Sequence, residues 1–371
     1  MLEWVFINQR TTAAFTSDIM SANFSFGRQT YMDTYSGSSL RFTIKNQNQQ
    51  ANTFQMNDVI EVKVTGSTFE GRFWVDEIQY QDYPGNTGLS TATVVCSDAM
   101  TRLGRKLVTK TLTQDYCVVQ ASQLNTVGEL PAVVGYASSY MGSVASAATF
   151  SGSPLTRINE LISTDRGILR HNEEYVLFYD RNYINNSVFQ SDIKFGRTAD
   201  VATKRIAYEE FTRTALGLNF MNNVTVTPTG GAEQTGINQP SVDLYESAYY
   251  SVQTVDATNA QGLGLANWLA NSQSDPNALR FEISFNDRSQ NVGLLEDWMD
   301  SLDLPSSYLL SYRVPGTGSD TQAYVVMEGY EVDITPSVSR FRVSFSPLTL
   351  YAFFTLNSPV YGVLDSSRLG W

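Results

Sequence analysis

Leu40, Phe42 and Ile44 alternate with Arg41, Thr43 and Lys45. The same two-residue rhythm recurs in Ile60, Val62 and Val64 against Glu61, Lys63 and Thr65. It returns in Leu279, Phe281, Ile283 and Phe285 against Arg280, Glu282 and Ser284, and in Phe341, Val343 and Phe345 against Arg340, Arg342 and Ser344. Successive side chains of a strand point to opposite faces, so each run reads as a strand with one buried face. A helix would scatter the same apolar groups around its circumference. Composition agrees: 20 Tyr, 20 Phe and 5 Trp stand among only 17% charged residues. Aromatic residues and threonine suit pleated surfaces better than long solvated helices. The expected fold is mainly β with minor α.

Turn residues punctuate the runs at Asp82-Tyr83-Pro84-Gly85-Asn86, Thr229-Gly230-Gly231 and Pro315-Gly316-Thr317-Gly318. Four helices are expected. Ser97 reads as the cap of a helix over Asp98–Leu107, with Arg102, Arg105 and Lys106 near its end. Pro154 opens a second, with Leu155, Ile158, Leu161 and Ile162 as its apolar stripe. Residues 257–271, with Leu265, Trp268 and Leu269 on one face, and Val292–Leu302 are the others. The uncharged stretch Leu130–Thr156 holds Pro131, Gly135, Gly142 and many serines, too polar for a bilayer span, and reads as a long loop.

A weak internal repeat is present. Arg72–Tyr80, a turn, then Thr91–Cys96 form one copy; Ala323–Val332, a turn, then Arg340–Phe345 form the other. Each has a strong apolar strand, an acidic step, an amphipathic continuation, a proline-containing turn and a return strand. With 371 residues available, two related β domains around an insert fit the length. The expected division is a β domain over 1–110, an α+β insert over 111–200 and a second β domain with two helices over 201–371. In the insert, Gly167–Leu169 and Tyr175–Tyr179 pair as a hairpin turning at His171-Asn172-Glu173.

Little in the chain resembles catalytic machinery. Lysine plus arginine number 25 against 37 acidic residues, a net charge of −12, which disfavours gripping nucleic acid or an anionic membrane. His171 is the single histidine, so HExxH zinc sites are excluded and a Ser-His-Asp triad would need His171 itself. GxSxG, Walker A and GxGxxG motifs are absent; Gly262-Leu263-Gly264 lacks the third glycine. Cys96 reads as a core residue, and Cys117 would form a dyad with His171 only if the fold brought them together. Glu296, Asp297, Asp300 and Asp303 lack the alternation and central glycine of a calcium loop and read as a solvated face. The basic spots Arg102/Arg105/Lys106 and Arg197/Lys204/Arg205 lack interleaved aromatics. No pair of carboxylates is singled out for glycoside hydrolysis. No catalytic, cofactor or metal residue is therefore assigned. Residues 1–20 carry Glu3, Arg10 and Asp18 and no apolar h-region, and two cysteines make no disulfide framework. A soluble protein made in a cytoplasm is expected.

The order of segments carries more than any site. Phe24-Ser25-Phe26-Gly27-Arg28, Tyr35-Ser36-Gly37, Leu40–Asn46, Val59–Val62, Gly71–Ile78 and Ser97–Gly104, in that order, resemble the opening domain of hub-type minor tail proteins of long-tailed, siphovirus-like bacteriophages. Leu155–Arg181, closing on Phe178-Tyr179-Asp180-Arg181, resembles their helix-plus-hairpin insert. Asn223–Thr227 before Gly230-Gly231 is similar to the entry into their second barrel, and Phe354–Gly370 to their ending.

The resemblance implies a baseplate-hub-like fold: two tail-tube-like β-barrels in one polypeptide with an insert between them. It implies a structural virion protein at the tail tip, made in the bacterial host, with no enzyme activity and no cofactor. Three chains of two barrels would present six, matching a sixfold tail tube. The implied partners are further copies of the chain, the distal tail ring, fibre or receptor-binding proteins and the tape measure protein. The host envelope would be met only indirectly, and DNA would pass through a bore without sequence-specific binding. Competing readings are a hexameric distal tail ring protein, a tail-tip cell-wall hydrolase and a secreted carbohydrate-binding β-sandwich. The repeat and the insert favour the hub. The chain continues only briefly past the second β domain, too short for a separate lytic domain, and its ending, with Tyr361, Leu364 and Trp371, would dock on a neighbour or on its own barrel.

Overall fold

The structure is a computed structural model. It describes all residues except 126–131, 137–141, 173–174, 182, 184–189, 216, 277–278, 315, 317–318 and 352–371, and omits the side chains of residues 87, 136, 171, 172 and 218. The chain is mainly β, and a 14-stranded sheet runs through most of it.

That sheet contains one strand order twice. In the first half, strands Ile19–Gly27, Ser39–Lys45, Thr91–Ser97, Glu70–Gln81 and Val59–Val64 lie side by side, all antiparallel. In the second half, Glu210–Ala215, Leu279–Asn286, Val338–Pro347, Asp320–Thr335 and Ser307–Arg313 follow in the same order and sense. Taken along the chain, both sets run first, second, fifth, fourth, third. The hairpins recognised as a repeat are the fourth and fifth strands of each set. Their acidic steps are bulges: the register shifts between Val75 and Glu77 in one and between Met327 and Gly329 in the other. Asp76 and Glu328 are the extra residues.

The halves share one strand. Asp320–Val326 pairs with Ser307–Arg313; beyond Glu328 the same edge, Gly329–Ile334, pairs with Gly27–Ala22 of the first half. The expected barrels differ from what is seen here, because neither half closes on itself among the described residues. The edge of Ile19–Gly27 that would close a first ring is occupied by the second half instead. The two halves consequently bury one common core. The ring centroid of Trp4 lies 6.4 Å from that of Phe341, and that of Phe26 5.4 Å from that of Tyr330.

Two smaller units sit beside the sheet. The first packs helices Ala99–Arg105, Cys117–Ser122 and Pro154–Asp165 around the hairpin Ile168–Asn172/Tyr175–Tyr179. Ala132–Tyr136 adds to that hairpin in parallel, and Val108–Leu112 pairs with Ala148–Gly152. The stretch read as a loop over 130–156 thus contains strands, because Val133 and Ala145 find buried places that polarity alone conceals. The second unit lays helix Asn259–Ser272 on the sheet Asn223–Pro228, Gln234–Ile237 and Tyr249–Thr254. It is spliced into the connection between strands 210–215 and 279–286. Residues 223–272 therefore stand outside the large sheet, whereas Gln190–Gly196 pairs within it.

Local signals mostly landed within a residue or two. Asp98, not Ser97, caps the first helix, accepting from Thr101 N at 2.7 Å. Pro154 opens its helix as expected, behind Ser153 as cap. The last expected helix ends at Met299. Helices Cys117–Ser122 and Gln239–Tyr245 had no sequence signal long enough to read. No described helix is long and apolar enough to cross a membrane.

Candidate functional site

The residues that sequence singled out have structural roles. His171 lies in a strand, paired with Val176, rather than in the turn. Cys117 is 1% exposed at the start of its helix; burial, reinforced by the nearby Asp165 and Asp256 charges, pushes its thiol well above the usual range. Burial and Asp76 do the same to Cys96, which pairs across to Leu40. A thiol held protonated in a dry core is a poor nucleophile. Gly262 lies against Pro228, where an added Cβ would come within 2.3 Å of Cγ, so its smallness serves helix–strand packing.

The acidic cluster is not simply a solvated face. Asp300 accepts from Ser67 Oγ and Thr68 N, both at 2.6 Å, tying the short helix to a turn of the first half. Among the described residues no group of three His, Cys, Asp or Glu side chains is placed to hold a metal ion. The basic spots are answered by carboxylates. Arg105 meets Asp76 at 2.8 Å, Arg197 meets Asp320 at 3.6 Å and Arg205 meets Asp200 at 3.7 Å, while Arg102 lies over the Trp74 ring.

Two buried polar junctions were invisible in the sequence. One sits where strand 320–335 changes partner. Arg28 Nε donates to Glu328 Oε2 at 2.8 Å, its Nη2 to the Tyr351 hydroxyl at 3.1 Å, and that hydroxyl donates to the other Glu328 oxygen. The Tyr35 ring covers the guanidinium at 4.7 Å. Gly27, at φ 91°, admits this crossing, since a Cβ there would lie 2.2 Å from the Glu328 carbonyl oxygen.

The other joins the two smaller units. Asp165 accepts from the amides of Ser143 at 2.8 Å and Arg181 at 3.0 Å. Asp256 accepts from Thr254 Oγ1 at 2.8 Å, and its Oδ1 has no partner. Burial, then the Asp165 charge, pushes the Asp256 carboxyl up to about 6. Burial also raises Asp165. Single letters of sequence give no hint that Asp256 is buried, and neither its flanking strand nor its environment was read from them.

The exterior carries apolar groups as well. Ile237 and Tyr249 flank Asn223 in register on the outer face of the three-stranded sheet, 50% and 65% exposed. An open cleft of about 490 Å³ between the N-terminal strand and the 335–338 turn is lined by Leu2, Trp4, Phe6, Ile19 and Ile334. The ending Phe354–Gly370, with Tyr361, Leu364 and Trp371, lies outside the described residues.

The sequence matches no protein-family model and no curated protein. The fold, in contrast, is shared with tail proteins along nearly its full length. A tail protein from Neisseria meningitidis MC58 superimposes with a TM-score of 0.63 at 9% identity, over 93% of this chain and 96% of that one. The 43 kDa tail protein of prophage MuSo2 from Shewanella oneidensis gives 0.60 at 10% identity, over 94% and 99%. An E. coli component of the type VI secretion system, described as structurally similar to T4 bacteriophage tail proteins, gives 0.50 at 13% identity, over 89% and 73%.

Proposed function

We propose that this chain is a structural hub of a bacteriophage-type tail, placed at the tail tip, acting as an assembly component and not as an enzyme. The observation that carries the reading is the doubled strand order within one polypeptide, set in a fold shared along nearly its full length with tail proteins. Two tube-like units per chain allow three chains to present six, which resolves the mismatch between a trimeric tip and a sixfold tube. Its neighbours would be the distal tail ring above and fibre or receptor-binding proteins below, with the tape measure protein reaching the bore. A net charge of −12 per chain favours a wall that DNA phosphates slide past rather than bind. The basic spots held by carboxylates support that reading.

Native mass spectrometry of the purified chain tests it. A species at three times 41.2 kDa is expected. A stable hexamer would replace the hub with a distal ring protein. Basic side chains lining the bore of the assembled ring would overturn the sliding-wall role.

A further inference from the structure

The two copies of the strand order differ in what covers one edge. In the second half, Gly329–Ile334 lies beyond the bulge and is covered by Ala22–Gly27 of the first half. Its counterpart in the first half is the stretch beyond Asp76. There Glu70–Trp74 pairs with Val59–Lys63, but Glu77–Gln81 has no strand on that same side among the described residues. The converse holds for the covering strand. The counterpart of Ala22–Gly27 is Glu210–Ala215, which pairs with Leu279–Asn286 on one side and with no described strand on the other. One contact is thus filled inside the chain, and the two parts of a second, equivalent contact stand open.

We infer that these two edges pair between copies of the chain: Glu210–Ala215 of one copy adds antiparallel to Ile78–Gln81 of the next. Internal symmetry fixes the register. Ile78 and Tyr330 sit opposite Val94 and Val343; those sit opposite Phe42 and Ile283; those in turn sit opposite Ala22 and Phe211. Inside the chain Tyr330 pairs with Phe26, Glu331 with Ser25 and Val332 with Phe24. Transferred, Ile78 pairs with Ala215, Gln79 with Thr214, Tyr80 with Arg213 and Gln81 with Thr212.

The side chains agree. Tyr80 occupies the place of Val332, yet Tyr80 is 50% exposed and Val332 is 0% exposed beneath its covering strand. Ile78 already packs on the edge of the main core. Neither open edge carries a proline, and Glu210–Ala215 is a full six-residue strand, long enough to template pairing. Arg213 would lie opposite Tyr80 and diagonal to Asp82, a reachable opposite charge. The contact is head to tail, so it propagates with one sense and makes a ring where the rotation between copies closes. It rests on the proposed ring assembly and specifies its interface.

The test compares native mass, over a concentration series, for the wild type, Tyr80→Arg and Tyr80→Arg/Arg213→Glu. Tyr80→Arg sets like charges face to face and should weaken association by about tenfold or more across repeated interfaces; the double variant should restore it. Gln79→Cys with Thr214→Cys should cross-link chains on oxidation, and the shifted pair Gln79→Cys with Thr212→Cys should not. All these positions except half-buried Thr214 are exposed, and thermal melting confirms that each variant folds. A trimer that ignores Tyr80→Arg and fails to cross-link overturns this pairing and leaves the hub reading standing. A hexamer that cross-links in register keeps the pairing and overturns the trimer. A chain that neither associates nor cross-links overturns both.

Discussion

Asp76 and Glu328 hold the same place in two copies of one hairpin, and each is answered by an arginine from a different direction. Arg105, 59% exposed, reaches Asp76 from the helix Ala99–Arg105 beside the sheet. Arg28, 2% exposed, reaches Glu328 across the seam between halves. Removing one member of a buried pair strands the other charge, at about 3–5 kcal/mol. An exposed pair contributes at most about 1 kcal/mol. Glu328→Gln should therefore lower the urea midpoint far more than Asp76→Asn, and Arg28→Met with Glu328→Leu should recover much of the loss. Equal effects of the two single substitutions would contradict the seam's role.

Asp256 sets a pH dependence. In the unfolded chain an aspartate titrates near 3.9, while in the fold burial and the Asp165 charge hold the Asp256 carboxyl up at about 6. Between roughly pH 4 and 6 the folded state binds a proton that the unfolded state has released, so stability falls as pH rises through that window. Asp256→Asn should raise stability at pH 7.5 by about 2–3 kcal/mol and change it little at pH 4. Melting curves at both pH values decide the matter; an identical effect at each would refute the assignment. Asp98, raised to about 6 chiefly by burial, contributes with the same sign.

Gly27→Ala places a Cβ against the Glu328 carbonyl at a φ of 91°. Strain and displacement together should destabilise by about 2–4 kcal/mol. Gly85→Ala, which meets nothing within 4 Å, is the control and should change stability by less than about 0.5 kcal/mol. Urea titration of both variants reads the difference.

Cys96 and Cys117, 0% and 1% exposed, should react with a thiol reagent such as DTNB only as fast as the protein opens. Fast native labelling of either would show that its surroundings are looser than described.

Much of the sheet was legible because its strands have one wet face, and alternation reports that directly. The 72–80 and 323–332 copies could be matched because both retain an acid at the bulge. The helix opened by Pro154 was equally plain. What the pattern did not show was closure. Pairing of Gly27–Ala22 with Gly329–Ile334 joins residues some three hundred positions apart, and no local pattern records it. The unit over 223–272 carries the same alternating strands as its host sheet, so periodicity could not show that it leaves that sheet. Buried acids such as Asp165 and Glu328 look like surface acids until their neighbours are known.

The long reach of that pairing has a consequence during synthesis. Ile19–Gly27 is finished early, but its covering stretch Gly329–Ile334 emerges about three hundred residues later. At roughly 5–20 residues per second the nascent chain carries this edge uncovered for about 15–60 s. Throughout that interval the first half offers newly made neighbours on the same message an edge whose natural partner, residues 329–334, is already complete on any chain ahead of it in the queue. Rapid translation, or a helper that shields the edge, would therefore decide how many chains emerge singly and how many emerge exchanged.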